Sequence, residues 1–123
     1  VSETVTDTSH WYEKAVHFFK NECLENAILC FTVAINADEK LSNTEINKYH
    51  RAYYWRGHTY FKLGLYEEAI WDFDKIISLN PDDKYIYNDR GRAYEKLDKL
   101  TAAKADYSQA FQLNPHLTKT PFI

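Results

Sequence analysis

Two arginine–aspartate spacings are the first candidates for chemistry in this 123-residue chain. Arg56 precedes Asp72 by sixteen residues, and Arg90 precedes Asp106 by the same interval. The recurrence reads as a structural ion pair between two elements, not as a catalytic dyad. The five histidines are scattered, and no Ser/His/Asp or Cys/His spacing builds a nucleophile and its base. Three glycines cannot form a phosphate cradle. Cys23 and Cys30, seven residues apart on or near one helix, would stand ~10 Å apart along its axis, too far for a disulfide. His17 and Cys30 give too few ligands for a metal at any sensible spacing. The expectation is two reduced thiols in a reducing, cytoplasmic compartment, with no catalytic residue, metal or cofactor.

Aromatic residues offer more. Tyr53, Tyr54 and Trp55 follow one another inside an otherwise amphipathic stretch, and at ~100° per residue they fan across roughly 200° of a helix surface. A core-facing stripe is narrower, so at least one ring points away from its own core.

The elements that would position these side chains emerge from an internal repeat. Shifted by 34 residues, the segment 50–83 matches 84–117 at eleven positions, among them Tyr53/Tyr87, Arg56/Arg90, Gly57/Gly91, Tyr60/Tyr94, Ala69/Ala103, Asp72/Asp106 and Pro81/Pro115. A weaker first copy keeps the spacing with Trp11, Ala15, Phe18, Ala27, Phe31 and Ala34, but has Glu39 where the closing Pro belongs and Lys14 and Cys30 in place of the Arg/Asp pair. Each unit reads as two helices. In the second, Tyr53, Gly57, Tyr60 and Leu63 form one stripe, Gly64 allows the turn, and Ala69, Ile70, Phe73, Ile76 and Ile77 form the other before "NPDD" ends it. Gly57 and Ala69 let the paired helices approach, with Tyr60 and Phe73 filling the space beside them. Between the first two units, "SNTEINKY" at 42–49 reads as helix, with Ser42 and Glu45 as a capping box and Ile46 and Tyr49 prolonging the Tyr53 stripe. The first helix of the second unit is thus expected from about Asn43 to Leu63.

These spacings resemble the tetratricopeptide repeat family, through Tyr53-x-x-Arg56-Gly57-x-x-Tyr60…Ala69-x-x-x-Phe73…Pro81 and again from Tyr87 to Pro115. The resemblance covers roughly residues 8–117. It implies an all-α, right-handed superhelical solenoid of three helix–turn–helix units and six helices. The expected divisions are an N-terminal tail over 1–8, units over 9–41, 42–83 and 84–117, and a C-terminal tail over 118–123. It further implies a protein-interaction module, an adaptor or scaffold without catalysis, whose first helices line a concave groove. In that fold the groove stripe of the second unit is Arg51, Tyr54, Trp55, His58, Phe61 and Lys62, and Trp55 points into the concavity. The first unit contributes Ser9, Tyr12, Glu13, Val16, Phe19 and Lys20, and the third Tyr85, Asn88, Asp89, Arg92, Glu95 and Lys96. The peptide-binding candidates are Tyr12, Val16, Phe19, Tyr54, Trp55, His58, Phe61, Tyr85, Asn88 and Arg92. The alternative is that Tyr54, Trp55 and Phe61 merely pack against neighbouring first helices. Grooves of this family that hold the acidic C-terminal tails of heat-shock chaperones need Lys and Asn in the first unit, Asn in the second, and Lys and Arg in the third. The matching places hold Tyr12, Val16, Trp55, Tyr85 and Asp89, so no carboxylate clamp is expected.

A net charge of −3 gives no footprint for nucleic acid or an anionic membrane, and no apolar run approaches a membrane span of ~18 residues. The chain starts at Val1 and contains no Met, which marks an excised or processed piece. Trp71 lies off its helix's core stripe and either packs on an adjacent unit or marks a second surface. The flank of the last helix around Ala103, Ala110 and Phe111 is expected to be under-covered, inviting a homodimer or closure by the tail residues Pro121, Phe122 and Ile123. The rival to a groove-binding module is thus a self-associating segment of a longer scaffold.

Overall fold

The structure, a computed structural model, describes residues 8–41 and 46–116. The described residues form six helices: α1 (Thr8–Lys20), α2 (Leu24–Leu41), α3 (Ile46–Lys62), α4 (Tyr66–Leu79), α5 (Ile86–Lys96) and α6 (Leu100–Leu113). They pair as α1/α2, α3/α4 and α5/α6, and each pair packs on the next through α2/α3 and α4/α5. Helix α3 begins six residues earlier, relative to the repeat, than α5, so the extended first helix of the second unit is present. The capping box at Ser42 and Glu45, and the C-terminal tail, lie outside the described residues.

The turn between paired helices is the same device three times. Glu22, Gly64 and Asp98 occupy equivalent positions, and all three have positive φ (63°, 80° and 60°). The residue after each donates its N–H five residues back, Cys23 to Phe18, Leu65 to Tyr60 and Lys99 to Tyr94, each at 2.9 Å, which closes a Schellman-type end. Only the middle unit uses glycine; an L residue there carries roughly 1 kcal/mol of steric cost. Asp98→Gly is therefore expected to raise the unfolding free energy by about 0.5–1 kcal/mol in urea titration. A loss of stability would mean that the Asp98 side chain contributes more than its backbone costs.

The predicted stripes form the core. Ala69, Phe73, Ile76, Ala27, Phe31 and Ala34 are fully buried, while Tyr60 and Leu63 sit half-buried at its rim. Gly57 is where α3 meets α4 most closely: a Cβ there would lie 2.6 Å from Phe73 Cε1 and 3.2 Å from Asp72 Cβ. Gly91 repeats this against Tyr107 at 2.8 Å. Beside each glycine stands the arginine. Arg56 Nε and Nη2 donate to the two oxygens of Asp72 at 2.9 and 2.7 Å, with the guanidinium carbon 5.6 and 5.8 Å from the rings of Tyr53 and Tyr60. Arg90 holds Asp106 in the same fork at 2.8 Å for both bonds, between Tyr87 and Tyr94. Each arginine also reaches the preceding unit, which the sequence reading missed. Arg56 Nη1 donates to Thr32 Oγ1 at 3.0 Å, and Arg90 Nη1 to Asp74 Oδ1 at 2.7 Å. Burial pushes the Asp72 carboxyl up and Arg56 pulls it back. Hydrogen bonding to Asp106 holds the Arg90 guanidinium above its ordinary range. In the first unit Lys14 instead lies 5.2 Å above the Trp11 ring, and Cys30 is a buried thiol.

Two expectations change at the periphery. Ala103 and Ala110 are fully buried, because their side chains face α5; Leu100 and Phe111 are the apolar residues that α6 leaves exposed. Trp71 does not pack on an adjacent unit, being 71 % exposed.

Candidate functional site

The first helices carry two neighbouring clusters. One joins α1 to α3. The Phe19 and Trp55 rings meet edge to face at 5.0 Å, and Tyr12, whose ring lies 6.0 Å from that of Phe31, stands near enough to Trp55 for the indole to act on its phenol. Burial pushes the Tyr12 phenol up, while donation from Trp55 and the charge of Arg51 act against it. Val16 packs half-buried beside them. Lys62 places its ammonium 5.1 Å above Phe19 and 3.5 Å from Glu22. Trp55 is half-buried, so it is neither core nor freely presented: one side rests on Phe19, and Tyr54 lies 6.5 Å away.

The second cluster joins α3 to α5. Tyr54 lies 4.5 Å from His58, whose Nε2 is 3.3 Å from Asp89 Oδ2 and whose ring meets Phe73 at 5.6 Å. Arg92 Nη1 donates to the other Asp89 oxygen at 3.3 Å. An open cavity here is lined by Tyr54, Lys84, Tyr85, Asn88, Asp89 and Arg92. Burial, reinforced by the Asp89 charge, pushes the Tyr54 phenol up to about 12, so Tyr54 stays a neutral donor at the cavity wall. Tyr85 is exposed and carries the Lys84 ammonium 5.7 Å above its ring.

Nine of the ten predicted site residues fall in these clusters. Phe61 lies apart, with its ring 5.1 Å from Tyr66 at the α3–α4 corner. Asp89 is the residue undervalued from sequence. It is a polar side chain only 8 % exposed, and its spacing three before Arg92 gave the signal, but only folding could set His58 against it. Among the described residues no three His, Cys, Asp or Glu side chains gather where they could hold a metal ion, and no helix is long and apolar enough to cross a membrane.

Known proteins resemble both the sequence and the fold. Two tetratricopeptide repeat models match residues 50–83 and 85–117. Human mitochondrial import receptor subunit TOM70 is 38% identical over 72 residues, which is 54% of this chain and 12% of that protein. Human RNA polymerase II-associated protein 3 is 31% identical over 104 residues, 85% of this chain and 14% of the relative. The chain thus spans under a sixth of the length of either. The second TPR domain of human RPAP3, solved by NMR in complex with the HSP70 peptide SGPTIEEVD, superposes with a TM-score of 0.73 at 31% identity, covering 85% of this chain and 81% of that one. Sequence likeness of that degree over four-fifths of another such domain, with family matches on consecutive units, means that this chain belongs to the tetratricopeptide repeat family.

Proposed function

We propose that the face built by α1, α3 and α5 is a concave groove that binds a short peptide or helical segment of another protein, without catalysis and without a carboxylate clamp. The observation that carries this reading is the run of half-exposed rings from Tyr12 and Phe19 through Trp55 and Tyr54 to an open, polar-lined cavity. Apolar bodies with polar tips at a cavity are the usual chemistry of an anchor pocket. The related RPAP3 domain was solved with a peptide bound, which supports a peptide ligand here. The clamp is not expected, because Asp89 puts a buried carboxylate where a clamp needs a base, and His58 and Arg92 are already turned toward it. Two free thiols and a net charge of −3 fit a cytoplasmic adaptor with no nucleic-acid or membrane partner.

The test starts from peptides selected on the chain from a random display library and measured by fluorescence anisotropy. Trp55→Ala is expected to weaken them by about 30- to 1,000-fold, the usual cost of ~2–4 kcal/mol for truncating a central Trp. The variant should keep its helical circular dichroism at low temperature, with a modest fall in midpoint from the lost Phe19 contact. The peptide SGPTIEEVD should not bind. Selected peptides that hold Trp55→Ala as tightly as wild type would remove the groove from the reading. Tight binding of SGPTIEEVD would remove the claim that the clamp is absent.

A second reading is self-association through the C-terminal edge, favoured by the exposure of Leu100 and Phe111 on α6.

A further inference from the structure

Three aspartates are buried among the described residues, Asp72, Asp89 and Asp106, at 2 %, 8 % and 5 % exposure. Two of them share one setting. For Asp72 and Asp106, an arginine of the same unit forks onto both carboxylate oxygens at 2.7–2.9 Å, and its guanidinium lies between two tyrosine rings. Asp89 has tyrosines beside it but a different set of donors. Its oxygens take one contact each, from His58 Nε2 and Arg92 Nη1, both at 3.3 Å. That is the long end of a hydrogen bond, whereas charge-assisted pairs close to about 2.7–2.9 Å. A carboxylate offers about four lone-pair sites, so Asp89 keeps capacity for further donors. It forms part of the wall of an open cavity whose other sides include Tyr54 and Tyr85.

From this likeness, and resting on the groove reading above, we infer that the cavity takes an arginine side chain of the bound peptide, its guanidinium forked on Asp89 between Tyr54 and Tyr85. The cavity already carries two cations, Lys84 and Arg92, and exposure decides which charge it admits. Lys84 is exposed, and the Arg92 side chain is 53 % exposed. Both can turn toward water, where their repulsion of an arriving cation is screened. Asp89 is buried and held from two helices, so it cannot turn away, and its pull is weakened far less. Asp83, whose charge also acts on Tyr54, adds a second acid beside the cavity. A carboxylate entering here would be pressed toward a buried one, which disfavours it. Lys84 shows that these walls suit a cation, because its ammonium rests 5.7 Å above the Tyr85 ring. Arginine fits better than lysine, since its planar fork serves both Asp89 oxygens at once and stacks on aromatic rings.

Peptides selected on the wild-type chain from a random display library test this by fluorescence anisotropy. They should share an arginine at one position. Replacing it by citrulline, its neutral isostere, should weaken binding about 10- to 100-fold. Asp89→Asn should weaken the arginine peptide by a similar factor and leave the citrulline peptide within about twofold, because the two changes remove the same pair. The citrulline comparison uses the wild-type chain, so it stands whatever Asp89→Asn does to folding, which circular dichroism reads. Peptides that need Trp55 but share no arginine, or that bind as tightly with citrulline, would overturn the arginine pocket and leave the groove in place. Equal weakening of both peptides by Asp89→Asn would remove Asp89 as the partner of the guanidinium. A shared acidic residue whose contribution vanishes in Arg92→Ala would show that the cavity reads the opposite charge, and would overturn the inference. A library that yields no binder would overturn the groove reading, and the arginine pocket with it.

Discussion

Arg56→Ala is expected to lower the unfolding free energy by about 3–5 kcal/mol, the largest single loss in the chain that leaves the apolar core intact. The cost comes less from the lost bonds than from what stays behind. Asp72 is 2 % exposed, its two oxygens are both held by Arg56, and burial already pushes its carboxyl up. Without the guanidinium it must either take a proton or stay charged in a dry place. The rings of Tyr53 and Tyr60 lose the plane between them, and Thr32 loses its donor. A domain of ordinary stability keeps only 5–15 kcal/mol in hand, so a thermal midpoint lower by roughly 10–20 °C should result. Arg56→Leu combined with Asp72→Ala should recover a large part of the loss, since an apolar pair leaves no orphaned charge. If the single variant melts within 2–3 °C of wild type, the fork is a surface ornament worth the ~0–1 kcal/mol of an exposed pair.

Phe73→Ala should cost about 3–5 kcal/mol for the cavity it leaves, and Gly57→Ala about 1–3 kcal/mol for the opposite fault. The two positions share one space. A methyl at residue 57 would stand 2.6 Å from the Phe73 ring, and that ring is fully buried with His58 on its edge, so it has nowhere to go. The double variant Gly57→Ala/Phe73→Ala should therefore be less destabilised than the sum of the singles by 1 kcal/mol or more, because the new methyl fills part of the new hole. Strict additivity in urea titrations would show that the α3–α4 crossing relaxes freely and that the glycine is not there for closeness.

The helices and the Arg/Asp forks were legible because a 34-residue repeat presents each contact twice, so that coincidence at one site is tested at the other. Gly57 and Gly91 announced a close crossing for the same reason. What the repeat could not announce were contacts between positions that differ from unit to unit. Thr32 and Asp74 receive equivalent arginines, yet one is a hydroxyl and the other a carboxylate, so no shared letter marks the place. The His58–Asp89 contact has no counterpart, because it joins successive units at positions that change from one to the next. Phe61 has the helical phase of the groove stripe, but periodicity could not show the nearness of Tyr66 across a tight corner, where the two rings meet. Ala103 and Ala110 misled for the reverse reason: small apolar residues near an array end look uncovered until the pairing helix is placed on them.

The unlike receivers of the two arginines give the molecule a mechanical grain. Viewed as a short spring, it has one coil contact fastened by a neutral hydroxyl and one fastened by a carboxylate that is 49 % exposed on its side chain. Dissolved ions slacken the second fastening and scarcely touch the first. The Trp55 cluster spans the first coil contact, and the Asp89 cavity spans the second. Raising the salt is therefore expected to loosen the α4–α5 joint beside the Asp89 cavity before the α2–α3 joint beneath the Trp55 cluster, an order that amide exchange at the two joints would read.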